Sequence, residues 1–172
     1  MTENTYNDSD RSLFSLAQIQ HLMRVEFNRA QRYSYPIICM MIGVDRLGHL
    51  RDLYGYEAKE EILAAVVGLL KSETRSSDFL GRMADDRLLA VVPHTSPKGA
   101  EVLAGRLLDG VQAIDFASDG RTIQISLSIG ASFNEGSSTL FFDALLQSAE
   151  DGLNEAAGAG GNRFVARAPG GF

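Results

Sequence analysis

A chain of 172 residues can bury one substantial core and has little material for a second. With 22 Asp and Glu against 16 Lys and Arg, its formal charge of −6 speaks against nucleic-acid and anionic-membrane binding, both of which draw affinity from clustered cations. The single cysteine, Cys39, excludes a disulfide framework and fits a buried thiol in a cytoplasmic setting, and no apolar run is long enough to span a bilayer.

The polar stretch MTENTYNDSDRS, lacking the basic start and apolar run of a signal peptide, predicts a tail over residues 1–13. From Phe14 the pattern becomes regular. Ser15 with Gln18 forms a capping box, and Leu16, Ile19, Leu22, Met23, Phe27 and Ala30 recur at helical spacing, predicting a helix over 16–33 that Pro36 closes. IICMMIGV is a continuous β-prone run, as expected of a strand covered on both faces. A short helix near 46–54 follows, then a longer one in EAKEEILAAVVGLLKSETR, acidic in its first turn and basic in its last.

FLGRM and RLLAVVP predict a hairpin whose connection contains Ala84, Asp85 and Asp86. A helix over 97–113, one strand in TIQISLSIGASF, a helix over 139–157 and a short strand RFVAR complete the pass, and the glycine-rich segment 158–163 reads as a flexible loop. The expected fold is α/β (α+β): helices packed on a mixed central sheet, with one hairpin, forming a single domain over 14–168.

Residue types that carry enzyme chemistry are sparse. His21, His49 and His94 fall in separate elements without thiols or carboxylates at metal-ligand spacing, and no serine lies in a nucleophile elbow. The glycine cluster after residue 157 follows a helix, whereas a phosphate cradle opens one.

The order of these elements and five landmarks resemble the GGDEF domain, the bacterial diguanylate cyclase fold that joins two GTP molecules into cyclic di-GMP. EFNRAQRYSYPI is similar to the opening helix leading to a proline and the first strand. VDRLGHLRDLYGYEAKEEIL resembles D-I-D-x-F-K-x-x-N-D-x-x-G-H-x-x-G-D-x-x-L, and RSSDFLGRMADDRLLAVVP resembles R-x-x-D-x-x-x-R-Y-G-G-D-E-F followed by an apolar strand. ISLSIGAS and AEDGLNEAAGAGGNR are similar to T-V-S-I-G-V-A and A-D-x-A-L-Y-x-A-K-x-x-G-R-N-R. The likeness runs from about Leu16 to Arg167, and the charged stretch 84–88 becomes a degenerate signature hairpin.

On this resemblance the catalytic set is depleted. The family's first metal-binding aspartate falls on Gly43. The signature positions are Ala84, Asp85, Asp86, Arg87 and Leu88; Asp86 retains an acid, while Arg87 places a permanent cation where a magnesium ligand belongs. Asp85 adds a negative charge where a triphosphate should approach. The base-reading pair corresponds to Arg51 and Glu60, and the triphosphate cations correspond to Gly48, Ala157 and Gly161. Cyclase activity, a resident metal and a cofactor are therefore not expected, although Asp45 with Asp86 could still hold a cation.

The resemblance also implies an inhibitory R-x-x-D motif, on which the product binds as an intercalated dimer. RSSD, Arg75 to Asp78, lies at that spacing. A guanidinium suits guanine O6 and N7, a carboxylate suits N1 and N2 hydrogens, and Arg106 falls where the family adds another arginine, with Arg82 nearby. The alternative reading of Arg75 and Asp78 is a helix C-terminus and the turn after it.

The expected function is a catalytically inactive cyclic di-GMP receptor acting through a protein partner or a homodimer. A nucleotide-independent docking or dimerisation module, with the apolar first helix as its contact surface, is the runner-up. A cyclase with atypical metal ligands is third.

Overall fold

The computed structural model describes residues 13–118, 120–134 and 141–168; most of the predicted tail, residues 169–172 and the first two positions of the helix predicted from 139 lie outside these. In chain order the elements are α1 (Leu16–Tyr33), β1 (Ile37–Val44), α2 (Leu47–Tyr54), α3 (Tyr56–Glu73), β2 (Phe79–Arg82), β3 (Leu88–Pro93) and α4 (Pro97–Gln112). They continue with β4 (Phe116–Ser118), β5 (Arg121–Ile123), β6 (Leu127–Phe133), α5 (Phe142–Gly158) and β7 (Arg163–Arg167). α1 opens on the expected capping box: the Gln18 amide donates to Ser15 Oγ at 3.2 Å and the Ser15 amide to Gln18 Oε1 at 2.8 Å.

Five strands form one sheet in the order β2-β3-β1-β6-β7, antiparallel except for the β6–β7 pair. The apolar run of β1 serves two cores by strict alternation. Ile38, Met40 and Ile42 pack with α3 and α4 on one face, while Ile37, Cys39 and Met41 pack with α1 and α5 on the other. Burial pushes the Cys39 thiol pKa well up, which leaves it an inert core group. α1 spends its apolar stripe, Ile19, Met23, Phe27 and Ala30, on the second core. The contact surface expected of this helix is thus buried, leaving Val25 and Tyr33 as its exposed large hydrophobics among the described residues.

Two expectations are corrected. The single strand expected in TIQISLSIGASF is divided: β5 pairs with β4 in a two-stranded ribbon, and β6 joins the main sheet. Ile123, Ile125 and Leu127 are all buried, so the alternation runs unbroken across the division and gives no signal of it. The glycine-rich segment 158–163 is a closed turn, with Gly160, Gly161 and Asn162 all at positive φ and the Gly161 amide donating to Ala156 O at 3.0 Å. It sets the end of α5 against the sheet, where a Cβ on Gly130 would collide with the backbone of Ala149 and Leu153.

Candidate functional site

β2 and β3 meet in a tight tip. The Met83 amide donates to Arg87 O at 2.8 Å and the Asp86 amide to Met83 O at 3.1 Å, a closure that puts Asp86 at φ 69°, a left-handed conformation that aspartate tolerates better than most residues. The edge strand is itself covered, since Phe14 bonds to it through Leu80 O at 2.8 Å and the Arg82 amide at 3.0 Å. Along the tip Ala84 and Asp85 are exposed, Asp86 and Arg87 half-buried, and Leu88 lies in the core.

Its charges are closed on one another. Asp86 accepts from Lys59 Nζ at 2.9 Å on one oxygen and from Arg82 Nη2 at 2.7 Å on the other. Both cations also reach Glu60, at 3.3 and 3.5 Å. The Lys59 hydrogen bond, reinforced by Arg82, holds the Asp86 carboxyl below its ordinary pKa, and Asp86 in turn raises Lys59. Arg87 donates through Nε to Asp85 Oδ2 at 2.7 Å and through Nη2 to Glu150 Oε1 at 3.3 Å. Lys59, Glu150 and the partners of Asp45 described below were not anticipated. Lys59 had a signal: it stands where the G-H-x-x-G-D stretch has its second glycine.

Asp45 has a different role. Ser126 Oγ and Ser128 Oγ each donate to it at 2.6 Å and the Asn162 amide at 2.9 Å, so the carboxylate ties β1 to the segment entering β6 and to the turn after α5. A Cβ on Gly161 would stand 2.5 Å from Asp45 Oδ2, which explains glycine there. Asp45 lines a recess of about 610 Å³ with Gly43, Arg46, Arg87, Ala157 and Gly161, whereas Asp86 lines a separate groove behind the tip; Arg87 borders both. The two carboxylates of the suggested Asp45–Asp86 cation pair thus line different recesses, each with partners of its own. Gly43 offers no donor, Asp45 already accepts three neutral hydrogen bonds and Asp86 is held by two cations, so these residues do not fit a catalytic magnesium pair.

The third cluster lies at the far end of the hairpin strands. Asp78 caps the turn after α3, accepting from the Arg75 amide at 2.9 Å, while its own amide donates to Arg75 O at 3.0 Å. Arg75 Nη2 lies 3.5 Å from Asp78 Oδ1 and donates to Pro93 O at 2.7 Å and to Thr95 Oγ1 at 2.9 Å. The Arg75 side chain is 55% exposed and that of Asp78 only 2%. Arg106 stands on the exposed face of α4.

The description "Diguanylate cyclase, GGDEF domain" matches residues 7–163. The chain belongs to the GGDEF-domain family. It is 30% identical over 149 residues to diguanylate cyclase DgcM of Escherichia coli (strain K12), covering 87% of this chain and 33% of DgcM. It is 27% identical over 114 residues to diguanylate cyclase A of Treponema denticola, covering 66% of this chain and 30% of that protein. The chain thus spans about a third of the length of these relatives.

Among solved structures, the GGDEF domain of FimX from Pseudomonas aeruginosa superposes with a TM-score of 0.81 at 21% identity, covering 96% of this chain and all of that one. The GGDEF domain of DgcB from Caulobacter crescentus, in complex with c-di-GMP, superposes at 0.84 and 12% identity, covering 96% of each. At such identities the likeness establishes the mixed, mostly antiparallel sheet flanked by helices. Among the described residues no helix is long and apolar enough to cross a membrane.

Proposed function

We propose that this GGDEF domain recognises cyclic di-GMP and does not make it. The observation that carries the reading is the separation of the two charged ends of the hairpin. At the tip every charged group is paired inward and the cations that should meet a triphosphate correspond to Gly48, Ala157 and Gly161. At the opposite end Arg75 presents a half-exposed guanidinium. Hydrogen bonds from Nη2 to Pro93 O and Thr95 Oγ1 fix its plane, and bidentate reading of guanine O6 and N7, which needs an Nη2 proton, would take over one of them.

Asp78, too buried to meet a ligand as it sits, holds Arg75 through its amide and guanidinium, and Arg106 supplies further positive potential from α4. A ligand with two guanine faces can bridge two protein surfaces, so binding would stabilise a partner-bound or dimeric arrangement. Titration calorimetry with cyclic di-GMP tests this directly. Heat of binding is expected for the parent protein and its loss for Arg75→Ala; a parent protein that gives no heat removes the receptor. Incubation with GTP and magnesium should yield no cyclic dinucleotide, and clear product would overturn the non-catalytic half of the reading.

A second reading, a docking module independent of nucleotide, is favoured by one observation: the Asp78 carboxylate is engaged in its own turn and faces away from solvent. Cyclic di-GMP then gives no heat with either protein.

A further inference from the structure

The two edges of the main sheet are finished differently. β2 is covered by the main chain of Phe14, whereas β7 pairs only with β6 and has no second main-chain partner among the described residues. Its register, Ser128–Ser132 against Arg163–Arg167, runs without a bulge, and the strand holds no proline. The outward amides and carbonyls of such a strand can take a further strand.

Side chains decide which strand. Alternation places Arg163, Val165 and Arg167 on the α5 side of the sheet, where Arg167 meets Glu155, while Phe164 turns into the opposite core. Both arginines are exposed, and Arg163 spends only Nε on a hydrogen bond among the described residues, to Gly161 O at 3.0 Å. The Arg167–Glu155 pair is 46% and 51% exposed, so an incoming carboxylate can exchange with it at little cost. A second copy is a poor occupant: antiparallel pairing centred on Val165 would set Arg163 of one copy opposite Arg167 of the other, and cross-strand like charges destabilise. The strand that complements this edge carries carboxylates at those two positions and an apolar residue between them.

We propose that the outer edge of β7 is a docking site for an extended acidic segment of a partner protein, which adds a strand to the sheet through main-chain hydrogen bonds and is selected by Arg163 and Arg167. The site lies at the sheet edge opposite the hairpin and does not rest on cyclic di-GMP recognition.

The probe is a capped heptapeptide in which Glu, Val and Glu alternate with Thr, added to isotope-labelled protein and followed by NMR. Saturable shifts and slowed amide exchange are expected at residues 163–167. A peptide with Lys in place of both Glu should bind about tenfold more weakly. Arg163→Glu should remove most of the difference between the two peptides, because each then meets one opposite and one like charge. N-methylation of every second residue should abolish binding in one phase of the alternation and spare it in the other, since only one set of amides faces β7.

Any of four results overturns the inference: a Glu peptide that leaves 163–167 unmoved up to its solubility limit, a Lys peptide that binds as tightly, N-methylated forms that behave alike, or slowed exchange at 163–167 that grows with protein concentration in the absence of peptide. The last would make a second copy the occupant. Should Arg163→Glu fail to fold, the Lys and N-methylated peptides still decide on the parent protein alone.

Discussion

Asp45 and Asp86 stand at opposite ends of the same problem, a carboxylate partly withdrawn from water, and the fold answers it in two ways. Asp45 accepts only neutral donors, two serine hydroxyls and a main-chain amide, drawn from two segments distant in sequence. Asp86 meets two cations on a hairpin tip. Neutral donors aimed from β6 and the glycine turn make Asp45 a joint of the architecture, because each partner loses its own hydrogen bond if the carboxylate goes. Cations on long side chains make Asp86 a local charge balance, whose loss disturbs the corner and leaves the sheet intact.

That contrast fails first, if it fails, at Asp45. Asp45→Ala strands the hydroxyls of Ser126 and Ser128 and the Asn162 amide, and Ser128 is only 1% exposed. Unpaired buried donors and a lost charge-assisted network should cost about 2–4 kcal/mol. Urea unfolding followed by circular dichroism measures it. A loss as small as that of a surface ion pair would refute the joint.

A smaller and pH-dependent effect distinguishes Asp86. Its folded pKa lies below the ordinary value, so the stability it contributes is complete at neutral pH, above the unfolded carboxylate range. That contribution is lost as pH falls through the unfolded value toward the folded one. The difference in unfolding free energy between the parent and Asp86→Asn should accordingly be about 1 kcal/mol at pH 7 and shrink toward zero below about pH 4. Asparagine also accepts the left-handed backbone at position 86, so the substitution tests charge and not strain. A difference that persists unchanged into acid would show that the Lys59 and Arg82 pairs do not set it.

The two carboxylates also differed in how far their roles could be read before the fold was known. Element order, the capping box at Ser15 and the alternation that makes IICMMIGV serve two cores are local patterns, and they emerge where expected. The charged tip at 84–87 was legible as a hairpin turn for the same reason. Asp45 was not legible as a joint, because its partners lie 81, 83 and 117 residues away and serine carries no spacing signature. Nor was β4, three residues long, whose pairing with β5 depends on a turn and not on periodicity. Arg75 and Asp78 were legible as a pair but not as a hierarchy: only the packed turn shows that one is half exposed and the other buried.

The smallest effect belongs to Arg87, the residue that most plainly departs from the family signature. Its partners Asp85 and Glu150 are 54% and 35% exposed, so solvent and salt screen both pairs, and Arg87→Gln should cost only about 0.5 kcal/mol. The informative measurement is chemical. If Arg87 alone silenced the corner, removing its charge would restore some turnover of GTP with magnesium. No restoration is expected, because Gly43 still lacks a ligand atom, Asp45 remains bonded to Ser126, Ser128 and Asn162, and Lys59 and Arg82 still cover Asp86. Cyclic dinucleotide formed by Arg87→Gln would mean that one misplaced cation had disabled an otherwise competent site, and that the inward pairing of Asp86 yields when substrate arrives.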